Sequence, residues 1–383
     1  MINRNVAKTI REQAEKYPIV AVTGPRQSGK TTLLQNLFPD YTYISMENPD
    51  NRAQAQADPN GFLKIYSEKV ILDEVQNVPH LFSYLQTKTD QDRIKGQYIL
   101  SGSQHFPLME RITQSLAGRV ALIRLLPFDF GEVKSAGLMS HEPSQAIFKG
   151  FFPAIYDWDI HPVRYFPNYV ETYVERDVRS LINVKDLMLF RNFLKLCAGR
   201  IGQVLNLNSL ANDCGITSPT AKAWLSILET SFITFLLPPY YRNFNKRLIK
   251  SPKLYFYDTG LACYLLGMKE AEQVESYFQK GSLFENLVIA ELLKQCYHRG
   301  DLPQFYFWRD NAGNELDMLS EEFQSVDVWE MKYGATVNPG FFKGFQYLEK
   351  IEDLSIGKKT IVYGGDSPQL RHGVEVISWF HIG

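Results

Sequence analysis

The stretch that most constrains this chain is YPIVAVTGPRQSGKTTLLQNLF, residues 17–38. It reads as an apolar strand, a glycine-bounded loop and a helix, and the loop fits GxxxxGK[ST] at Gly24, Gly29, Lys30 and Thr31. The glycines let backbone N–H groups turn inward around phosphate oxygens. The following helix points its positive end at the same place. Lys30 is placed to reach the outer phosphates and Thr31 to offer a hydroxyl to Mg²⁺, with Gln27, Ser28 and Thr32 as further contacts of a bound nucleotide such as ATP.

Two later strands add polar ends to the same picture. EKVILDEVQNVP (68–79) is apolar up to Asp73 and Glu74. Asp73 is a candidate to hold Mg²⁺ through water, and Glu74 a candidate base for the attacking water. GQYILSGSQHF (96–106) ends in Ser101 and Ser103; Ser103 is the preferred sensor of the terminal phosphate, and a simple helix cap is the alternative. Arg119, in SLAGRV, is a candidate to stabilise transition-state charge or to reach across a subunit boundary, or else a surface arginine.

These segments resemble the AAA+ class of P-loop ATPases. With YVERDV, KLYFYDTGLA and GSLFENLV added, nearly the whole chain resembles the bacterial and archaeal ATPases that join an AAA-type domain to a C-terminal region called DUF4143. The resemblance implies an α/β multidomain fold whose first part is a five-stranded parallel sheet binding ATP at its strand ends. It also raises the expectation of a homo-oligomer. Arg176, of the Arg176–Asp177 pair in a helical stretch, is then a candidate arginine finger, in cis or from a neighbour; a helix-surface salt bridge is the alternative.

Composition removes several classes. The 383 residues suggest two to three domains. Net charge is −1 with a pI near 6.7, so any nucleic-acid contact must come from local patches. Cys197, Cys214, Cys263 and Cys296 form no CxxC pair, which argues against a zinc knuckle or a disulfide framework and for a reducing compartment. The polar, amphipathic start has no signal-peptide core, and no apolar run approaches the roughly 20 residues of a membrane span, so a cytoplasmic protein without a membrane partner is expected.

Residues 205–241 read as a winged helix–turn–helix. One short helix breaks at Gly215, and a longer one follows with Thr217 or Ser218 as cap and Pro219 in its first turn. Leu225 and Leu228 face inward, and Ser218, Thr220, Lys222 and Ala223 take the positions where a recognition helix meets base edges. The hairpin that follows carries Arg242, Lys246, Arg247, Lys250 and Lys253 interleaved with Tyr240, Tyr241 and Phe244. This suits phosphate contacts over residues 242–253 and makes DNA a candidate partner. A protein-interaction module is the alternative.

From residue 281 the order is helix, three strands, helix, strands. Glu285 lies on the leading helix, Asp317 on the second strand of a hairpin, and Glu330 and Lys332 two apart on the third strand, hence on one face. Order and acids resemble the restriction-endonuclease-like PD-(D/E)xK nuclease core, although the Pro-Asp pair that names it is absent and Asp317 sits in NELD. The resemblance implies Mg²⁺ held by Asp317, Glu330 and Glu285, with Lys332 orienting or deprotonating the water. The expected division is 1–130 P-loop domain, 131–195 helical linker or lid, 196–265 winged helix, and 275–383 nuclease-like domain. Two functional readings follow: an ATP-hydrolysing, DNA-acting protein with a DNA-cleaving C-terminal domain, or a regulatory ATPase whose C-terminal parts only mediate protein contacts.

Overall fold

A computed structural model of the chain describes residues 2–103, 116–174, 187–240, 251–310, 312–322, 325–350 and 355–382. Its first sheet contains β1 (Ile19–Thr23), β2 (Thr42–Ser45), β3 (Val70–Asp73), β4 (Tyr98–Gly102) and β5 (Val120–Arg124). The order is β2-β3-β4-β1-β5, and the pairings are parallel. β1, β3 and β4 are buried along their whole length, because helices cover both faces, as parallel sheets require. Alternation divides β1 between them. Val20 and Val22 pack with the helices Ala7–Ala14 and Lys30–Leu37; Ile19 and Ala21 pack with Pro59–Ile65 and Leu81–Asp92.

In the middle region, the helix Leu207–Cys214 ends at Gly215, whose φ of 71° is left-handed. The helix Ser218–Thr230 begins three residues later, with the Thr217 side chain accepting from the Thr220 N–H and Pro219 in the first turn. Leu225 and Leu228 are buried as expected. A two-stranded antiparallel sheet follows, β6 (Thr234–Leu237) with β7 (Lys253–Phe256).

The last region opens with the helix Lys280–Arg299 and continues as a six-stranded sheet in the order β12-β13-β11-β10-β9-β8. β8 (Phe305–Arg309), β9 (Glu315–Glu322) and β10 (Ser325–Lys332) form an antiparallel meander. β11 (Ile356–Tyr363) is parallel to β10, and β13 (Val374–Ser378) to β11. The short β12 (Gln369–Arg371) is the edge strand. The α-helix expected near Asn338 forms instead as two 3₁₀ stretches, Pro339–Phe342 and Gly344–Lys350. Glycine lowers helix propensity here, and the segment lies hard against Glu330: a Cβ at Gly344 would stand 1.9 Å from Glu330 Oε1.

The middle and last regions do not have separate cores. One hydrophobic cluster runs from Leu126 and Phe128 through Phe193, Leu228 and Tyr255 to Trp379. The helix Lys280–Arg299 lies within it and packs on β5, β7 and β10. Its 20 residues span about 30 Å, so this single rigid element touches all three regions. No helix among the described residues is long and apolar enough to cross a membrane.

Candidate functional site

The loop after β1 is built from close approaches. A Cβ at Gly24 would meet the Leu125 carbonyl oxygen at 1.9 Å, so only glycine fits there. Gly29 caps the helix Lys30–Leu37 with a left-handed φ of 88°. Lys30 is buried, and its ammonium donates to the carbonyls of Gly24 at 3.0 Å and Pro25 at 2.8 Å. Ser28 is fully buried, and its hydroxyl has no hydrogen-bond partner among the described residues. A cradle that excludes Cβ atoms, carries a buried ammonium and keeps an unsatisfied hydroxyl fits a phosphate chain.

The ends of β3 and β4 close this cradle. Asp73 Oδ2 accepts from the Thr31 hydroxyl at 2.9 Å and the Tyr43 phenol at 2.7 Å, and Oδ1 accepts from the Ser101 hydroxyl. Burial, then the Asp73 carboxylate, push the Tyr43 phenol far above its ordinary range, so it stays a donor. Glu74 adopts a left-handed φ of 52°, uncommon for a non-glycine residue. Its Oε2 accepts from Gln76 and, at 2.9 Å, from the Ser103 hydroxyl. The arrangement thus brings Lys30, Thr31, Asp73, Glu74, Ser101 and Ser103 to one end of the sheet, with Thr31 and Asp73 as the pair that would hold Mg²⁺.

Other sequence-level candidates lie elsewhere. The Gln27 side-chain oxygen accepts from Tyr165 at 2.8 Å, tying the loop to the helix Pro162–Tyr169. Thr32 lines a cavity of about 720 Å³ with Arg4, Gly29, Asn36, Phe128 and Trp158. Arg119 is far from the cradle in the fold. It precedes β5 at the opposite end of the sheet, where its carbonyl accepts from the Ile19 N–H and its guanidinium grips Asp90 at 2.6 and 2.9 Å. Arg176 falls outside the described residues.

Arg4 is a site residue that the sequence reading missed. It is buried and donates to the Ser28 carbonyl at 2.7 Å, the Leu126 carbonyl at 2.7 Å and the Glu132 carboxylate at 3.0 Å. Glu132 and Asp129 cap the next helix reciprocally, and Asp129 pairs with His298 at 2.7 Å. His298 belongs to the long helix Lys280–Arg299, so a chain of four contacts connects the phosphate loop to that helix. No local signal marks Arg4, because its partners lie 24 to 128 residues away.

Near its start the same helix carries Glu285 into a second cluster. Asp317 on β9 accepts from Lys332 at 3.0 Å and from the Met331 N–H at 2.8 Å; Lys332 also contacts Glu330. Glu330 and Lys332 share one face, as the strand period implied, and Asp317 and Glu285 lie beside them. Two further residues join them. Glu315 lies with Glu285 and Asp317 so that one oxygen from each is within 4.8 Å of the others. Lys253, expected among the phosphate-contacting cations of residues 242–253, is instead fully buried: its ammonium lies 2.8 Å from Glu285 and also contacts Glu315. Tyr240, expected among the wing's aromatics, is buried against Tyr306, and its N–H donates to the Phe307 carbonyl. Both corrections have one cause: β6 and β7 are clamped to the last region, so their flanks face protein. Arg242, Lys246, Arg247, Lys250, Tyr241 and Phe244 lie outside the described residues. Lys222 and Ala223 are exposed as expected, whereas Ser218 is half-buried and donates to Asn208 at 2.6 Å.

Electrostatics sort the carboxylates of this cluster. Burial would raise Asp317, but Lys332 and then Lys253 hold it below its ordinary value. Burial and the neighbouring Asp317 charge push Glu330 well above the carboxylate range. Glu330 Oε1 is buried with no partner among the described residues. Burial raises Glu285 to about 7 against the pull of Lys253.

Sequence comparison agrees with this architecture. Residues 16–134 match the family described as an AAA domain, residues 140–272 a domain of unknown function, DUF8612, and residues 280–382 the domain of unknown function DUF4143. The chain thus resembles proteins that join an AAA-type P-loop domain to a C-terminal DUF4143 region. Its relatives include an uncharacterized protein of Mycobacterium tuberculosis, 28% identical over 368 residues, covering 95% of this chain and 80% of that one. Another, from Haemophilus influenzae, is 23% identical and covers 73% and 75%. Similar solved structures include the Walker-type ATPase of Pyrococcus abyssi, at 14% identity and a TM-score of 0.46, covering 69% of this chain and 96% of that one. Thermotoga maritima RuvB, at 19% identity and a TM-score of 0.33, covers 62% and 90%.

Proposed function

We propose that this chain binds and hydrolyses ATP at the cradle after β1 and uses the cycle to rearrange a DNA-contacting surface. The observation that carries the ATP reading is the Thr31–Asp73 hydrogen bond at the end of the sheet, beside the buried Lys30 ammonium. Thr31 and Asp73 would hold Mg²⁺, which would supply charge neutralisation for the phosphates. Lys30 would bind the terminal phosphates and Glu74 would orient and take the proton of the attacking water, with Ser103 fixing Glu74 through its hydroxyl. The cavity lined by Thr32, Asn36 and Trp158 lies beside the loop and suits the base. Lys30→Ala is expected to cut ATP turnover about 10²-fold or more. Undiminished hydrolysis in purified Lys30→Ala protein would place the activity at another site.

The DNA part of the reading rests on the basic composition of segment 242–250 in the sequence and on the exposed Lys222 and Ala223 of the helix Ser218–Thr230. Binding to duplex and branched DNA across a salt series should weaken steeply as salt rises. Absence of binding at low salt would leave the regulatory reading, in which the same surfaces meet protein. A homo-oligomer fits either reading, and sedimentation with and without ATP measures it.

Phosphodiester cleavage by the C-terminal cluster requires a divalent metal among its carboxylates. The residues present do not fit one. Lys253 and Lys332 already place two ammonium groups against Glu285, Glu315, Asp317 and Glu330, and no nuclease step is assigned to them.

A further inference from the structure

We infer that Lys253 is a built-in cation that takes the place of a metal in the C-terminal carboxylate cluster, making the cluster an ion-pair junction between the middle and last regions. This inference stands apart from the ATP reading, since it concerns another site.

The geometry makes the substitution specific. Glu285, Glu315 and Asp317 come from one helix and one strand, and their convergent oxygens are spaced as a cation site would need. The Lys253 ammonium touches two of the three, at 2.8 Å from Glu285 Oε1 and in contact with Glu315 Oε1. Tyr255, two residues along the same strand, donates its phenol to that same Glu285 Oε1. A divalent ion would have to share these oxygens with a fixed positive charge, at metal–oxygen distances of about 2.0–2.6 Å. Mutual repulsion at that range is severe in a buried setting.

Lys253 cannot easily swing away. Its side chain is completely buried and stands 5.5 Å from the Phe307 ring. The three residues after it, Leu254, Tyr255 and Phe256, are also fully buried. Asn286, next to Glu285 on the long helix, clamps the Phe256 backbone at both ends, accepting from its N–H and donating to its carbonyl at 2.7 Å each. Across the cluster, Lys332 serves Asp317 and Glu330, and Arg309 reaches Glu315 at 3.3 Å. Four carboxylates thus face three cations supplied by the chain itself.

The test uses the full chain without nucleotide and Mn²⁺ or Mg²⁺ alone as probe. Wild-type protein should show no metal binding that depends on Asp317, read by Mn²⁺ electron paramagnetic resonance and by the thermal unfolding midpoint. Lys253→Met, close in volume and uncharged, should bind Mn²⁺ about ten-fold or more tightly than wild type, because a like charge has been removed from the site. Its unfolding midpoint should rise by several degrees with Mn²⁺, and the added Asp317→Asn change should abolish that rise. Mn²⁺ binding by wild type that disappears in Asp317→Asn would overturn the inference, whether or not Lys253→Met folds. A folded Lys253→Met protein that still binds no metal would overturn it too, since something other than Lys253 would then exclude the ion.

Discussion

Two lysines, Lys30 and Lys253, are both buried and belong to opposite kinds of site. Lys30 rests on the carbonyls of Gly24 and Pro25, dipoles that hold an ammonium without cancelling its charge, at the positive end of a helix. Lys253 rests on two carboxylates that do cancel it. The first lysine keeps a positive field for an incoming anion. The second has its charge matched from within the fold. A buried lysine near acids is therefore not by itself a mark of catalysis; what decides is whether its partners carry a full negative charge.

That contrast can be broken or sharpened by substitution. The largest effect is expected in the first site. Glu74→Gln should keep nucleotide binding yet slow ATP turnover about 10²- to 10⁴-fold, the usual contribution of a positioned base. Equal turnover in single-cycle assays would remove Glu74 from that role. In the second site the effect should be on stability, and it should differ between two acids on adjacent strands. Asp317→Asn strips a buried charge from Lys332 and should cost about 3–5 kcal/mol in urea unfolding. Glu330, already pushed toward its neutral form, should tolerate Glu330→Gln at under about 1 kcal/mol. Equal costs would mean that Glu330 carries its charge in the fold.

A pH series tests the same cluster together with Glu291, further along the long helix, which accepts from the Phe130 N–H. Glu285 and Glu291 are both raised by burial to about 7 from an ordinary 4.5. The folded chain then holds their protons more tightly than the unfolded chain does. Stability should be fully present below about pH 4.5 as far as these groups are concerned, and should decline as pH rises through 7. Asp317, held low by Lys332 and Lys253, and Asp129, held low by its side-chain hydrogen bond with His298, act in the opposite sense, but only at more acidic pH. Urea midpoints measured from pH 5 to 8 should therefore fall, and Glu285→Gln should flatten the slope. The smallest effect is expected from Arg119→Ala, which should leave turnover of the isolated chain unchanged, since Arg119 grips Asp90 at the far end of the sheet.

The two sites were not equally legible in the sequence. The phosphate cradle is written in eight consecutive residues, because a loop and the helix it starts are local structure. Asp73 and Glu74 could be placed because an apolar run of fixed period ends at them. Glu330 and Lys332 followed from the two-residue repeat of strands, whereas Asp317 was marked by the resemblance to the nuclease core; the structure pairs both acids with Lys332. Glu315 shares that repeat with Asp317 and could have been added. Lys253 could not be placed from its neighbours in sequence. It follows four cations and looked like a fifth, yet it opens KLYF, a strand buried on every residue. Long-range contacts such as the clamp of Asn286 onto Phe256 and the pairing with β6 decide which way that strand lies, and such contacts leave no periodic trace. Arg4 was hidden for the same reason.

The long helix Lys280–Arg299 has a consequence for anyone who would cut this protein into pieces. Family boundaries fall at residues 134 and 280, and they invite separate expression of the ATPase part and the C-terminal part. A fragment ending at 134 would lose the His298 partner of Asp129 and the Glu291 acceptor of the Phe130 N–H. A fragment starting at 280 would leave Lys294 without the Phe128 carbonyl and Glu285 without Lys253. The boundaries mark segments of shared ancestry, whereas buried hydrogen bonds and ion pairs run across them.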